Sequence, residues 1–432
     1  MNAKAYIGPA AILEKKKKYI MPCLAHFYKD PQEFVKGSMQ YLWDSNGKKY
    51  LDCYAGVSVM NCGHANPDIV GPATEQAKTL QHVCNIYLTE NFVNLAERLA
   101  AVTPGTLQKS FFCSTGSEAT EGALLLAEVA RGNSEIIALR QGLHGRTKLG
   151  MSVTGLTMWR TAPTPVGGIH FAPNPYCYRC PLGKKPDTCD LACANAVEDL
   201  IKTATSGHPG AYIAETIQGN AGIVVPPKGY FQRVKEILDQ YGTLLIIDEV
   251  QTGFARTGKM FGIEHYGVTP DIMCMAKALG NGFPISAFIA KPEIADTYTR
   301  PGASTLGGNP VSSTAGLAVL DYIETHDLAA RAESLGKTLR AGLRRLQETH
   351  PVIGDVRGLG LMDGAEFIHA DGSPAPELLD DVLEEMKDRG YIIGKNGVGR
   401  NVMAFQPPLV ITEENLTQVL DELDCVLTAK KL

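Results

Sequence analysis

The sequence predicts an α/β fold: a large, mostly parallel sheet covered by helices, and a smaller α+β domain after it. Three observations carry this. Between about 66 and 315, short apolar runs alternate with helical stretches, the pattern of parallel strands buried on both faces. From about 316 onward helical patterns dominate, and strand-like pieces then return. The composition is globular: 44% of 432 residues are hydrophobic and 20% charged. The 44 Gly and 25 Pro fall well short of the roughly 25–30% seen in low-complexity chains.

Residues 1–65 join short apolar pieces by turn signals, as in Asp44-Ser45-Asn46-Gly47 ahead of Tyr50-Leu51-Asp52. They are assigned to a β-containing segment that contributes to the small domain. In the large domain, 66–315, Ser110-Phe111-Phe112-Cys113 reads as a strand. Ser114-Thr115-Gly116-Ser117-Glu118-Ala119 follows it and opens a helix running to Arg131. Further strands are read at 136–139, 211–214, 243–247 and 272–275, with a helix at 230–241. The small domain, 316–432, is read as a helix at 328–349, one strand-like piece at 356–362, a helix at 375–389, a strand at 402–405 and a last helix from Glu413.

Charge excludes some functions. With 41 basic and 46 acidic residues the net charge is −5, so the chain has no global basic field for nucleic acid. No apolar stretch approaches the roughly 18 residues of a membrane span. The segment from Met1 to Leu24 carries Lys15 to Lys18 but lacks signal-peptide order, and the lysines read as a solvated helix face. Eleven cysteines, several in apolar runs (Cys53, Cys62, Cys113, Cys274), read as free thiols of a reducing compartment, so a cytoplasmic protein is expected.

Two motifs mislead. Gly253-Phe254-Ala255-Arg256-Thr257-Gly258-Lys259 has phosphate-loop spacing, and an acidic strand, 244–249, sits beside it. The loop needs a hydroxyl after its Lys to hold Mg²⁺, however, and position 260 is Met. Gly358-x-Gly360-x-x-x-Gly364 misses the dinucleotide fingerprint by one residue, and a tight turn accounts for it better.

Three features at predicted strand ends converge on one chemistry. Ser114-Thr115-Gly116-Ser117 sits where a helix N-terminus offers N–H groups to an anion, although helix capping alone explains Ser and Thr there. Asp248 ends the most apolar strand and needs a partner, such as Arg256. Lys277 follows Ile272-Met273-Cys274-Met275-Ala276 and precedes Ala278-Leu279-Gly280-Asn281-Gly282. Burial would make it a nucleophilic amine, while a solvent-facing loop lysine is the plainer alternative. Pyridoxal 5'-phosphate (PLP) asks for all three: a phosphate cup, an acid at the pyridine nitrogen and a lysine for its Schiff base. Parallel sheets bind such ligands beyond the carboxyl ends of their strands.

The segments 247–258 and 270–282 resemble class III aminotransferases, the ornithine, 4-aminobutyrate and alanine–glyoxylate group, and the resemblance extends from Gly63-His64 to Pro407-Pro408. It implies PLP fold type I and a homodimer with active sites at the subunit interface. It also implies Lys277 as the Schiff-base lysine, Asp248 as the pyridine partner and Gln251 at the ring hydroxyl. Gly116 and Ser117 would form the phosphate cup, with Thr305 reaching the phosphate from the other subunit. Glu215 would stand behind the cofactor, Leu143 and His144 beside it. Arg146 would take a substrate carboxylate, and Tyr87 and Val59 are candidate substrate contacts by family position.

The sequence departs from the family at four places. Leu143 replaces the aromatic residue that stacks on the ring. Ala404 replaces an Arg that receives an acceptor carboxylate, with Arg400 four residues away. Asn220 replaces the Glu that pairs with that Arg, and Thr216 replaces a Pro. Loss of the Arg together with its Glu is coherent, since either alone would be an unpaired charge. A transaminase moving an amino group from a small ω-amino acid or amine to pyruvate or glyoxylate is therefore expected. The alternative is a PLP lyase releasing ammonia or phosphate from a small aminoalkyl phosphonate or phosphate. A non-catalytic homologue is a third reading, opposed by intact Lys277 and Asp248. Finally, Cys177, Cys180, Cys189 and Cys193 could form a structural zinc site, but a thiol-rich excursion without metal is favoured and no metal is assigned.

Overall fold

Seven strands build the central sheet of the computed structural model, which describes residues 6–161 and 164–432. Residues 1–5, the start of the Met1-to-Leu24 segment read above, lie outside the described residues. In spatial order the strands are Lys109–Cys113, Ser286–Ala290, Ile272–Met275, Leu244–Asp248, Ala211–Glu215, Ile136–Leu139 and Ile169–Ala172. Ser286–Ala290 runs antiparallel to both its neighbours, and the other pairings are parallel.

Period-two alternation divides the side chains between two layers. Ile213, Ile246 and Cys274 pack with Leu124 and Ala127 of the helix Gly116–Arg131. Tyr212, Leu245, Ile247 and Met273 face the other way, where Phe231, Val234 and Ile237 of the helix Tyr230–Tyr241 meet them. With helices on both faces, the ends of the strands are the open rims.

The helix Gly116–Arg131 starts where the sequence says it should. The Thr115 side chain accepts from the Glu118 N–H at 3.2 Å, and Gly132 closes the far end in a left-handed conformation. At the amino end of the chain, Asp44 Oδ1 accepts from the Asn46 and Lys48 N–H groups, both at 2.9 Å, and turns the hairpin Tyr41–Asp44/Lys49–Asp52. Tyr391–Ile392 joins that sheet in parallel beside Lys49–Asp52.

A third sheet has the order Ile353–Leu359, Met362–Phe367, Val402–Phe405, Gly394–Asn396. The piece read as one strand over 356–362 is therefore two strands and a reversal. Gly360, at φ +55°, makes the turn, because a left-handed residue is needed there. The phosphate-loop lookalike 253–259 runs as successive turns and leads into the short 3₁₀ segment Gly262–Tyr266, with no α-helix after it. Lys15 to Lys18 lie on the helix Pro9–Tyr19, which buries no residue. Among the described residues no helix is long and apolar enough to cross a membrane.

Candidate active site

Sheet register brings the titratable groups together. Glu215 stands opposite Asp248 on adjacent parallel strands, and Asp248 opposite Cys274 on the next. Three residues past Cys274, the chain turns into the 3₁₀ segment Lys277–Leu279. Glu215, Asp248 and Lys277 consequently line one cavity of about 420 Å³ at the carboxyl ends of the strands.

Lys277 has a strained backbone, with φ +48°. A side chain in that region costs on the order of 1–3 kcal/mol, and such strain is tolerated chiefly where the geometry has a use. Burial pushes its amine down to about 8, against the opposing pull of the Asp248 and Glu215 carboxylates. At neutral pH a usable fraction of the amine is thus uncharged and nucleophilic. Burial also pushes the Glu215 carboxyl up to about 7. Its two oxygens accept from the N–H groups of Leu143, at 2.9 Å, and Gly219, at 3.1 Å, fastening two loops of the cavity wall.

Asp248 is 4% exposed, and its partner is His144, with Nδ1 2.8 Å from Oδ2. The other oxygen accepts from the Val250 N–H at 3.0 Å. The alternative of an ion pair between Asp248 and Arg256 is not what the structure has. Arg256 lies elsewhere, fully buried, donating to the carbonyls of Leu361 at 2.9 Å and Pro407 at 2.6 Å and to Asn61. Long-range packing sends it to the seam with the C-terminal sheet, which nothing local in the sequence marks.

Gly116 and Ser117 line the cavity at the N-terminal end of their helix, where backbone N–H groups and the helix dipole suit an anion. Ser117 Oγ accepts from the Arg146 N–H at 3.1 Å. Gln251 is buried in the wall with neither amide atom partnered. Buried amides ordinarily find partners, so this one is placed to serve a guest. A Cβ on Gly219 would lie 1.3 Å from Gln251 Oε1, so the glycine lets the amide stand where it does. An anion cradle, an unpartnered amide, a braced carboxylate and a buried amine in one cavity are what PLP requires, and the residues fit it.

The structure places Leu143, His144, Arg146 and Val59 in the same lining. Tyr87, 64% exposed, and Thr305, also exposed, are not brought to this cavity within the chain. Trp159, Phe283 and Ile285 line it without having been singled out, since all three come from connecting segments that carry no local signal of their neighbours. Asn220 lines it as well. Ala404 does not: it is buried in an apolar cluster with Ile217, Ile223 and Met362. Arg400 turns back to donate to the Lys395 carbonyl at 3.1 Å. Thr216 holds the fully buried Glu249 through a 2.6 Å hydrogen bond. Cys177, Cys180, Cys189 and Cys193 are free thiols around a separate small cavity. Among the described residues no three His, Cys, Asp or Glu are grouped to hold a metal.

Known proteins agree with this geometry. The model of the aminotransferase class-III family matches residues 28–427. The chain is 41% identical to alanine–glyoxylate aminotransferase 2 homolog 2, mitochondrial, of Arabidopsis thaliana, over 97% of this chain and 88% of the relative. Two solved structures superpose closely. A phospholyase from Arthrobacter in complex with phosphoethanolamine has TM-score 0.89 and 33% identity, covering 97% of this chain and 99% of the other. An amine transaminase from an uncultivated Pseudomonas species, in its PLP-bound form, has TM-score 0.90 and 28% identity, covering 95% and 98%. With its fold, its cavity and nearly its whole length in common with these proteins, the chain belongs to the class III aminotransferases, PLP-dependent enzymes of fold type I.

Proposed function

We propose that this enzyme moves an amino group from a small ω-amino acid or amine to a monocarboxylate oxo acid such as pyruvate or glyoxylate. The observation that carries this is the pairing of Lys277 and Asp248 at adjacent strand ends in one cavity. Bound PLP supplies an electron sink for the electron pair left when the donor loses its α-proton. The protein does the rest. Lys277 Nζ would carry that proton from the donor carbon to the cofactor side, and would carry one back the other way when the acceptor takes the amino group. Asp248, steadied by His144, would hold a negative charge against the ring nitrogen. Gln251 would meet the ring hydroxyl, and Leu143 would lie against the ring. Gly116 and Ser117 would hold the phosphate, while Glu215 fixes the loops bearing Leu143 and Gly219.

Arg146 would take the substrate carboxylate, since it and Lys277 are the cations of the lining. Val59, Trp159 and Phe283 add apolar surface to the same lining, which suits the carbon chain of a donor. The apolar burial of Ala404 supports a monocarboxylate acceptor, because among the described residues Arg146 is the sole guanidinium in the lining. Exposed apolar side chains at Ile86, Tyr87, Leu88 and Leu306 support a homodimer in which Tyr87 and Thr305 serve the neighbouring site. The unpaired cysteines support a reducing, cytoplasmic setting.

The same missing acceptor arginine favours a second reading, a lyase that needs no oxo acid, and the phospholyase neighbour adds to it. One assay separates the two. Enzyme is mixed with amino donor or aminoalkyl phosphate in the absence of oxo acid. The transaminase consumes one equivalent per site and stops. Sustained release of ammonia or phosphate would sink the transaminase reading.

Gly219→Ala should drive its new Cβ into Gln251 and disturb the amide. Losing about 1 kcal/mol of hydrogen bonding predicts several-fold weaker PLP retention. Cofactor dissociation on dilution, followed by absorbance, checks this.

A further inference from the structure

Arg357 stands on the strand Ile353–Leu359, outside the cavity lining, with 11% of its side chain exposed. Its Nη1 lies 2.6 Å from Asp355 Oδ2 and 2.9 Å from Glu366 Oε2. The guanidinium sits over the Tyr176 ring, 4.7 Å from its centre, and Tyr176 and Arg179 both donate to Glu366. The remaining donors go to backbone. Nε donates to the carbonyls of Gly222 at 3.0 Å and Ile223 at 3.2 Å, and Nη2 donates to Gly222 at 2.5 Å.

That backbone belongs to the turn carrying Asn220 into the cavity. Two glycines, Gly219 and Gly222, bound the turn, and Gly222 has φ +112°. The turn closes on itself, with the Gly219 carbonyl accepting from the Gly222 N–H at 3.0 Å and the Ile223 N–H at 3.1 Å, so what its neighbours set is its position. Its cavity side is pressed on Gln251, where Gly219 has no room for a Cβ. Its far side meets Arg357, whose Nη2 would be 3.2 Å from a Cβ at Gly222. Asn220 O also accepts from the Gly397 N–H at 3.0 Å.

Register sharpens the point. Arg357, Gly364 and Ala404 are directly opposite one another across three adjacent strands, so they share a sheet face. A guanidinium thus stands in the same row as Ala404 yet is spent on the backbone of the turn.

We propose that Arg357 is a positioning residue for catalysis. Its fork pins Gly222 and Ile223, and through that turn sets where Asn220 faces the bound substrate. This rests on the cavity being the catalytic site. A double-mutant cycle on the holoenzyme tests it, with Arg357→Lys, Asn220→Ala and the double variant assayed with amino donor and pyruvate. Lysine keeps the charge near Asp355 and Glu366 but loses the fork.

Each single variant is expected to raise KM for the donor roughly tenfold, with kcat changed less, and the double variant to be no worse than the weaker single. Additive losses, or an unchanged KM in Arg357→Lys, overturn the proposal. If Arg357→Lys does not fold, Gly222→Ala takes its place in the cycle, with the same supporting and overturning results. Wild-type rates in Lys277→Ala would sink the catalytic reading of the cavity and this inference with it. An inactive Lys277→Ala beside an additive cycle overturns the inference alone.

Discussion

Lys277→Ala is expected to abolish turnover, with kcat down by at least roughly a thousandfold, and to leave the fold intact. The loss is large because one amine does two jobs, holding the cofactor and carrying the proton. The fold should survive because alanine keeps a Cβ and therefore adds no new strain at φ +48°. Borohydride treatment of the wild-type holoenzyme, followed by peptide mapping, should place the pyridoxyl label on Lys277. A label elsewhere, or full activity in the variant, contradicts the assignment. The amine's ionisation makes a further claim. Burial lowers Lys277 to about 8, so the neutral form gains with pH and saturates above that value. Capture of PLP by the apoenzyme should accelerate roughly tenfold per pH unit below the midpoint and level off above it. A rate still climbing tenfold per unit through pH 9 would show an amine near its ordinary value, and a rate flat from pH 6 to 9 would show that this amine does not control capture.

Much of this site is legible in sequence because its anchors end apolar strands. Leu244-Leu245-Ile246-Ile247 and Ile272-Met273-Cys274-Met275 announce themselves, and Asp248 and Lys277 follow from them. The strands Ile169–Ala172 and Ser286–Ala290 went unread. Each is short and diluted by His, Ser or Ala, and the antiparallel sense of the second leaves no mark in composition. Pairings across long separations are the harder part. His144 and Asp248 lie 104 residues apart, so only a near neighbour in sequence such as Arg256 could be offered as an alternative partner. Asn174 ties Gln141 to Gln218, bracing two cavity loops at once, and nothing local predicts that arrangement. The hairpin at Ile353–Leu359 and Met362–Phe367 was half legible: the glycine spacing marked a tight turn, but the apolar residues on either side of it ran together as one strand.

Asp248→Asn is the second variant with a large expected effect, a fall in kcat of roughly 10²–10⁴-fold with PLP still bound. Asparagine preserves shape and can still meet His144 and the Val250 N–H, so the pocket should not collapse. It removes the negative charge that favours a protonated ring nitrogen, and with it the pull on the electrons left behind by the donor's proton. A second readout separates this from simple damage. The Asp248 charge raises the Lys277 amine against the downward push of burial. Removing the charge therefore lowers the amine further, and the midpoint for PLP capture should move below about 8 while kcat falls. General disorder at the site would let water in and shift that midpoint upward, toward the ordinary lysine value. A lowered midpoint with lost turnover supports the carboxylate's role at the ring. An upward shift, or near-normal turnover, assigns Asp248 to structure alone.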